Sequence, residues 1–256
     1  MDANYTAEYE QFELRHWWFV ARREILHQQL DRFARLGSQS PRWLDVGCGT
    51  GVLLHSYPAI DASHKLGLEL DAGSVSRAQA KGLQVRRVES KWDFAEYGRF
   101  DLITMTDVIE HVQDEREALD AVRAVLNDNG ILLVTVPALM SLWSSHDVVN
   151  RHFRRYTRPT LLKLFPPAEW EVLKVSYFSS LLLPLVWTAR KWKNFRTRGQ
   201  DESHATHDFK FGKLDGLLKL IFRAERPWLR IAGFPLGSSI LLVLRKRPLN
   251  TNDRRP

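Results

Sequence analysis

Two stretches of this chain hold residues able to do chemistry. The first is Trp43-Leu-Asp-Val-Gly-Cys-Gly-Thr-Gly-Val52, an apolar run that ends in Gly47, Gly49 and Gly51 ahead of a helix-capable segment. A strand that breaks into bare backbone before a helix presents amide groups to a nucleotide-like ligand, and glycine lets that ligand come close. The second is Leu142-Trp-Ser-Ser-His-Asp-Val-Val-Asn-Arg-His-Phe-Arg-Arg-Tyr-Thr157, which crowds His146, Asp147, His152, Arg154, Arg155 and Tyr156 into one loop. A histidine oriented by a partner can take a proton at neutral pH. Neighbouring arginines can clamp a phosphate or carboxylate. One reading makes His146–Asp147 or His152 a base with its orienting partner. The other is a structural knot, with Arg and Asp paired and the histidines bonded to backbone. No metal site is expected, because His146, Asp147 and His152 lack a convincing fourth ligand.

The elements that would position these residues alternate. Strand-like runs cover Arg42–Val46, Leu66–Leu70, Gln84–Val88, Phe100–Thr104 and Ile131–Val136. Helix-like runs cover Val52–Tyr57, Gly73–Lys81 and Glu115–Leu126, the last ending in a turn at Asn127-Asp-Asn-Gly130. Repeated strand–helix–strand units predict a parallel sheet covered on both faces. Both chemical stretches then follow strands at the C-terminal edge of the sheet, where open α/β sheets bind ligands. His111 falls at the same edge, as a base or as a capping histidine. Phe12–Leu36 reads as one helix, broken by Gly37-Ser-Gln-Ser-Pro41. Asp71 suits a helix N-cap. Further strands are expected at Glu169–Phe178 and Ser239–Arg245. The connection of about 60 residues between them is long. It carries an apolar stretch (Leu181–Trp187), a basic one (Arg190–Arg198), a polar loop with histidines (Asp201–Asp208) and an amphipathic helix (Leu214–Arg226).

The glycine loop, Glu69 ending the second strand, Phe100-Asp101 opening the fourth and Asp107-Val-Ile-Glu-His111 after it together resemble the class I S-adenosylmethionine (SAM) dependent methyltransferases. The resemblance covers roughly residues 40 to 175. Val52, where a dinucleotide-binding loop has its third glycine, and Glu110-His111 argue against the NAD-binding alternative. The resemblance implies an α/β, Rossmann-like seven-stranded sheet in the order 3-2-1-4-5-7-6. It implies a lid helix over residues 1–40 and a methyltransferase domain over 41–249, from which the helical insert at 180–237 is a departure, since the family's last two strands usually sit close in sequence; residues 250–256 read as a tail. SAM is the implied cofactor. Gly47, Cys48, Gly49 and Gly51 would meet its methionine and ribose portions, and Asp45 its amino group. Glu69, with Leu70, would take the ribose hydroxyls. Asp93 or Glu89 would reach the adenine, with Trp92 stacking. Thr106 and Asp107 would border the cofactor. Cys48 reads as a small side chain that fits the loop, not as a reactive thiol. The second stretch resembles a Trp-Ser-x-His-Asp…His-x-Arg-Arg-Tyr element of one subgroup. His111, His146, Asp147 and His152 are the expected catalytic residues. Trp17, from His16-Trp-Trp-Phe19, is expected with Arg154, Arg155 and Tyr156 on the acceptor.

The chain has 256 residues, 44% hydrophobic and 26% charged, with one cysteine, nine tryptophans and a formal charge of +7. These values suit a globular protein without an internal disulfide and with anionic partners. The acidic N-terminus lacks the pattern of a signal peptide, and no apolar run is long enough to span a bilayer. The expectation is therefore a cytoplasmic enzyme. Apolar surface beside a cationic collar in the insert suggests peripheral contact with the inner face of a membrane. The expected function is SAM-dependent methyl transfer, at oxygen, to a small-molecule or lipid-linked acceptor. The alternatives are a soluble O-methyltransferase of a metabolite or quinone precursor, and a non-catalytic SAM-binding protein. Nucleic acid is not expected, since no RNA-binding module is recognisable.

Overall fold

In the computed structural model, residues 3–34, 40–89, 92–188 and 212–248 are described. The basic stretch Arg190–Arg198, the loop Asp201–Asp208 and the tail 250–256 lie outside them.

Seven strands form one sheet in the order β3-β2-β1-β4-β5-β7-β6, as the sequence predicts. They are β1 (Trp43–Val46), β2 (Lys65–Glu69), β3 (Val85–Arg87), β4 (Phe100–Thr106), β5 (Leu126–Pro137), β6 (Trp170–Phe178) and β7 (Ser239–Lys246). β1 to β5 run parallel, and β7 pairs antiparallel with both β5 and β6. All four residues of β1 are buried, as befits a central strand covered on both faces. The predicted turn at Asn127–Gly130 is absorbed into β5, with a register shift against β4 and Asn129 at φ 62°.

Helices cover both faces. One core cluster joins α2 (Trp17–Phe33), α3 (Val52–Ser56) and α4 (Ala72–Ala80) to the sheet, and the other joins α5 (Glu115–Val125) and α7 (Arg158–Leu162). Asp71 caps α4, its carboxylate accepting the Ser74 N–H at 2.9 Å. Between β5 and β6 lies α6 (Ser145–Val149) as well.

The predicted helix Phe12–Leu36 is in fact two, α1 (Ala3–Arg15) and α2. The break is at His16, which is extended (φ −66°, ψ 132°), and its Nδ1 accepts the Trp18 N–H. A side-chain acceptor at that point starts a new helix more favourably than it continues the old one. The long connection before β7 contains α8 (residues 183–188), α9 (Asp215–Arg223) and α10 (Glu225–Ile231). The predicted helix Leu214–Arg226 therefore divides at Ala224. The buried Glu225 accepts the Ser180 and Leu181 N–H groups, and so ties α10 to the end of β6.

The insert is part of the core. Phe222 of α9 is fully buried, stacked on Phe178 of β6 (6.3 Å between centroids) and edge-on to Trp17 of α2 (6.5 Å). Glu24 of α2 pairs with Arg223 and Arg226 alongside. Phe222→Ala should remove about 3–5 kcal/mol of stability, seen as a lower urea midpoint with unchanged slope. An unshifted midpoint would mean that α9 is not integral to the fold.

Candidate active site

The glycine loop leaves β1 in a backbone form that side chains resist. Gly47 and Gly51 have φ of 69° and 75°. A Cβ at Gly47 would stand 2.7 Å from the Val108 side chain, and one at Gly51 2.5 Å from Leu83. The Gly47 and Cys48 N–H groups both donate to the Leu68 carbonyl, which fastens the loop to β2. Glu69 completes the fastening. One of its oxygens accepts the Gly49 N–H, and the other accepts those of Leu70 and Asp71, all at 2.9 Å. Gly67 has no counterpart in the sequence reading. A Cβ there would lie 2.6 Å from Cys48 Sγ, and glycine inside a strand is the signal for such close packing.

Asp45 lies beneath the loop, 1% exposed, and accepts the Thr104 hydroxyl at 2.5 Å. Burial pushes its carboxyl up to about 7, although the Thr104 bond opposes the shift. Burial also pushes the Cys48 thiol upward, so it is a packing residue and not a nucleophile.

Above the loop is a cavity of about 320 Å³. Its floor is Asp45, Gly47, Cys48 and Gly49, and its far side is Thr106 and Asp107. The space a Cβ would fill at Gly49 is open. A loop with open space over Gly49 and a buried acid below it fit the amino-acid portion of SAM. α1 and α2 supply another wall, through Phe12, Glu13, Trp18 and Arg22. Thr50 donates to Glu13 at 2.7 Å, and Arg22 donates to Asp107 at 2.7 Å and to Thr135 at 3.0 Å. The helices are thus pinned to both the loop and the end of β4. Glu13 was not legible beforehand, because an acid on a helix surface gives no sign of the hydroxyl it will meet.

The other end of the cavity is backed by Asp147. This carboxylate is fully buried and grips the buried Arg155 in a fork, from Nε at 2.8 Å and Nη2 at 3.0 Å. The same carboxylate receives His152 Nδ1 at 2.9 Å and the Ser144 N–H at 2.9 Å. Burial alone would raise its pKa, but the His152 bond and the Arg155 charge hold it well below the usual carboxylate range. Arg155 and Asp147 are a buried pair, and the same Asp147 orients His152. His146 instead contacts Asn150, its own neighbour on α6. His146, His152 and His111 all line the cavity. The rings of His111 and His152 meet edge to face, 4.6 Å apart. Partial desolvation at the cavity edge and the neighbouring His152 lower the pKa of His111, which is exposed.

Other expected residues lie elsewhere. Trp17 lines the cavity but is mostly spent on the core. Gly51 lies behind the loop against Leu83. Leu70 is exposed, and Asp93 accepts the Ala95 N–H. Neither belongs to the cavity wall, and nor do Glu69, Glu89, Arg154 or Tyr156. Trp92 packs edge-on to Phe94, 5.9 Å away. Arg154 pairs with Glu115 and donates to the Gln113 carbonyl. The Tyr156 hydroxyl donates to Glu115 and to the Ile109 carbonyl. These bonds brace the loop from behind.

Comparison with known proteins matches residues 17–175 to the family described as a methyltransferase domain. A ubiquinone biosynthesis O-methyltransferase of Aromatoleum aromaticum is 29% identical over 188 residues, spanning 66% of this chain and 75% of that protein. One from Xanthomonas axonopodis pv. citri is 34% identical over 108 residues, but the chain covers only 45% of its length. Among solved structures, a methyltransferase in complex with the Haloferax volcanii Trm112 activator superposes with a TM-score of 0.57 at 16% identity, over 96% of each chain. The plantazolicin methyltransferase BpumL, in complex with SAH, gives 0.55 at 13%, over 89% of this chain and 85% of that one. At these identities the structural likeness speaks for the fold alone.

Asp147→Ala would strand the buried Arg155 charge and should cost about 3–5 kcal/mol at pH 7. The native Asp147 has a depressed pKa, so its contribution is complete above the unfolded value of about 3.9 and fades as pH falls toward the folded one. Urea unfolding of both proteins should therefore show a gap that is constant from pH 5 to 7 and narrows as pH drops below about 4. A gap independent of pH throughout would count against an ionised Asp147.

Proposed function

The chain belongs to this methyltransferase-domain family, with SAM as methyl donor, and from that premise we propose that it methylates a hydroxyl oxygen on an amphipathic, lipid-linked acceptor. The observation that carries the reading is one cavity with the glycine loop and Asp45 at one end and the carboxylate-held His152 at the other. When bound, SAM supplies an electrophilic methyl group for in-line displacement. Gly47, Gly49 and Asp45 would hold its amino-acid portion, with Thr106 and Asp107 alongside, and Glu69 would act from behind by fixing the loop. The protein's own work is alignment, exclusion of water and removal of the acceptor's proton. An ionised Asp147 accepts from Nδ1 of His152 and so leaves Nε2 as a lone pair. His152 is the group to receive a hydroxyl proton, with His111 beside it. The relatives named O-methyltransferases support oxygen as the acceptor atom.

The lipid-linked acceptor is favoured by the surface around the cavity mouth. Leu182, Leu185 and Val186, at and within α8, line the cavity, while Leu181, Leu185 and Trp187 are exposed to solvent. Leu217, Leu220, Trp228 and Ile231 are further exposed apolar side chains, on α9 and α10. Exposed apolar residues of this kind, with those of the α8 region at the cavity, support shallow insertion into a bilayer. No described helix is long and apolar enough to cross one. A small water-borne acceptor would need no such surface.

Two measurements test this. His152→Ala should slow labelled methyl transfer from SAM into an organic extract of host membranes by about 10²–10⁴-fold. Its affinity for S-adenosylhomocysteine (SAH) by calorimetry should stay unchanged. An undiminished rate would remove His152 from the chemistry, and label confined to the aqueous phase would point to a water-soluble acceptor. Separately, the protein should co-sediment with phosphatidylglycerol-containing vesicles, and the triple change Leu217→Glu, Leu220→Glu, Ile231→Glu should abolish this without unfolding it. Equal sedimentation of the two proteins would sink the membrane reading.

A further inference from the structure

One group at the acceptor end has no role in what precedes. Glu110 is fully buried in the cavity wall, and among the described residues neither of its carboxylate oxygens has a hydrogen-bond partner from another residue. The cations nearby are already committed, Arg22 to Asp107 and Arg155 to Asp147. A buried acid without a partner is costly and rare in native proteins. Its position is explained if a ligand satisfies it.

Two imidazoles stand beside it. His111 follows Glu110 on the same 3-10 turn (Ile109–His111), and His152 packs edge-on to His111. One donor atom from each of Glu110, His111 and His152 lies within 4.8 Å of the others. A small closure brings three such donors around one ion with bonds of about 2.0–2.2 Å. Both rings are also held from outside. The Asp147 carboxylate accepts from His152 Nδ1, and the Asn150 backbone carbonyl bonds to His111. A ring that donates from one nitrogen offers a lone pair at the other, and outer acceptors of this kind orient metal-binding histidines.

We propose that Glu110, His111 and His152 bind one first-row divalent cation at the acceptor end of the cavity. Two imidazole nitrogens and one carboxylate favour Mn²⁺, Fe²⁺, Co²⁺ or Zn²⁺ over Mg²⁺ or Ca²⁺. All three ligands line the cavity, so coordination positions left free by the protein open toward the acceptor. The role of the ion rests on the proposed O-methylation. A coordinated acceptor hydroxyl gives its proton to water more readily, because the cation stabilises the oxyanion. The O–H bond breaks, the oxygen keeps the electron pair that attacks the methyl group, and no oxidation state changes. His152 then serves as ligand and not as proton acceptor, with Asp147 orienting it in either case.

The test uses the untagged full-length chain, stripped with chelator and dialysed. Titration with Co²⁺, followed by its visible d–d absorption and by calorimetry, should show one equivalent bound. Glu110→Gln and His111→Gln should each weaken that binding by more than tenfold while leaving SAH affinity intact, which reports on folding. Labelled methyl transfer should fall on chelation and return with Mn²⁺, Co²⁺ or Zn²⁺. No stoichiometric binding, or binding unchanged in both variants, would overturn the site. Transfer that persists in fully chelated enzyme would overturn the catalytic role and leave His152 as a metal-free base. If no oxygen acceptor is methylated under any condition, the proposed function fails, and the Co²⁺ titration still decides the metal site by itself.

Discussion

The buried carboxylate of Asp147 is the interaction on which the acceptor side depends. It binds the Arg155 guanidinium in a fork, accepts from His152 and closes the start of α6 through Ser144. Arg155 in turn donates to the carbonyl of Ala138, at the end of β5. The segment that carries α6 is thereby locked to the rigid edge of the sheet. A buried ion pair of this kind adds little net stability compared with an apolar packing. Its value lies in the geometry it imposes: once the pair forms, the ring of His152 has one orientation.

A second set of charges fixes the opposite wall. α1 and α2 face the cavity with Phe12, Trp18 and Phe19 and are also held there by polar contacts. Glu10 pairs with Arg77 and Lys81 of the α4 region, Glu13 meets Thr50 of the glycine loop, and Arg22 reaches Asp107 and Thr135. Several of these partners border the place where a SAM molecule would lie. A wall bonded to the glycine loop is well placed to respond to a ligand bound over that loop, because ligand and wall would address the same backbone. α2 is anchored more firmly at its other end, by Phe222 and by the Glu24 pairs to α9 and α10.

The acceptor side combines two environments that rarely coincide. Its interior gathers three imidazoles and two acids, and its mouth is lined by leucines of the α8 region that continue to the protein's exterior. Polar groups converging inside an apolar entrance would suit an acceptor with a long apolar body and a small reactive head.

The sequence by itself determined what is local. The glycine loop and the Asp71 cap were legible, because each depends on neighbours within a few residues or on a motif of fixed spacing, and the order of strands followed from the family resemblance that those motifs carry. Glu69 was legible as an important acid, though its three bonds to backbone amides were not. The tertiary structure decided which groups meet. Asp147 stands next to His146 in sequence yet orients His152, since five residues around the end of α6 bring that ring back to it. His16 divides a helix whose apolar periodicity runs straight through it. Arg154 and Arg155 look alike as a pair, but one braces Glu115 on the outside and the other lies buried on Asp147. Glu110 is the clearest case: its letter says only that it is acidic, and only the folded arrangement shows it buried, without a partner among the described residues, beside two histidines. Backbone preference is written in short windows of sequence, whereas burial and partnership depend on distances that exist only after the sheet has closed.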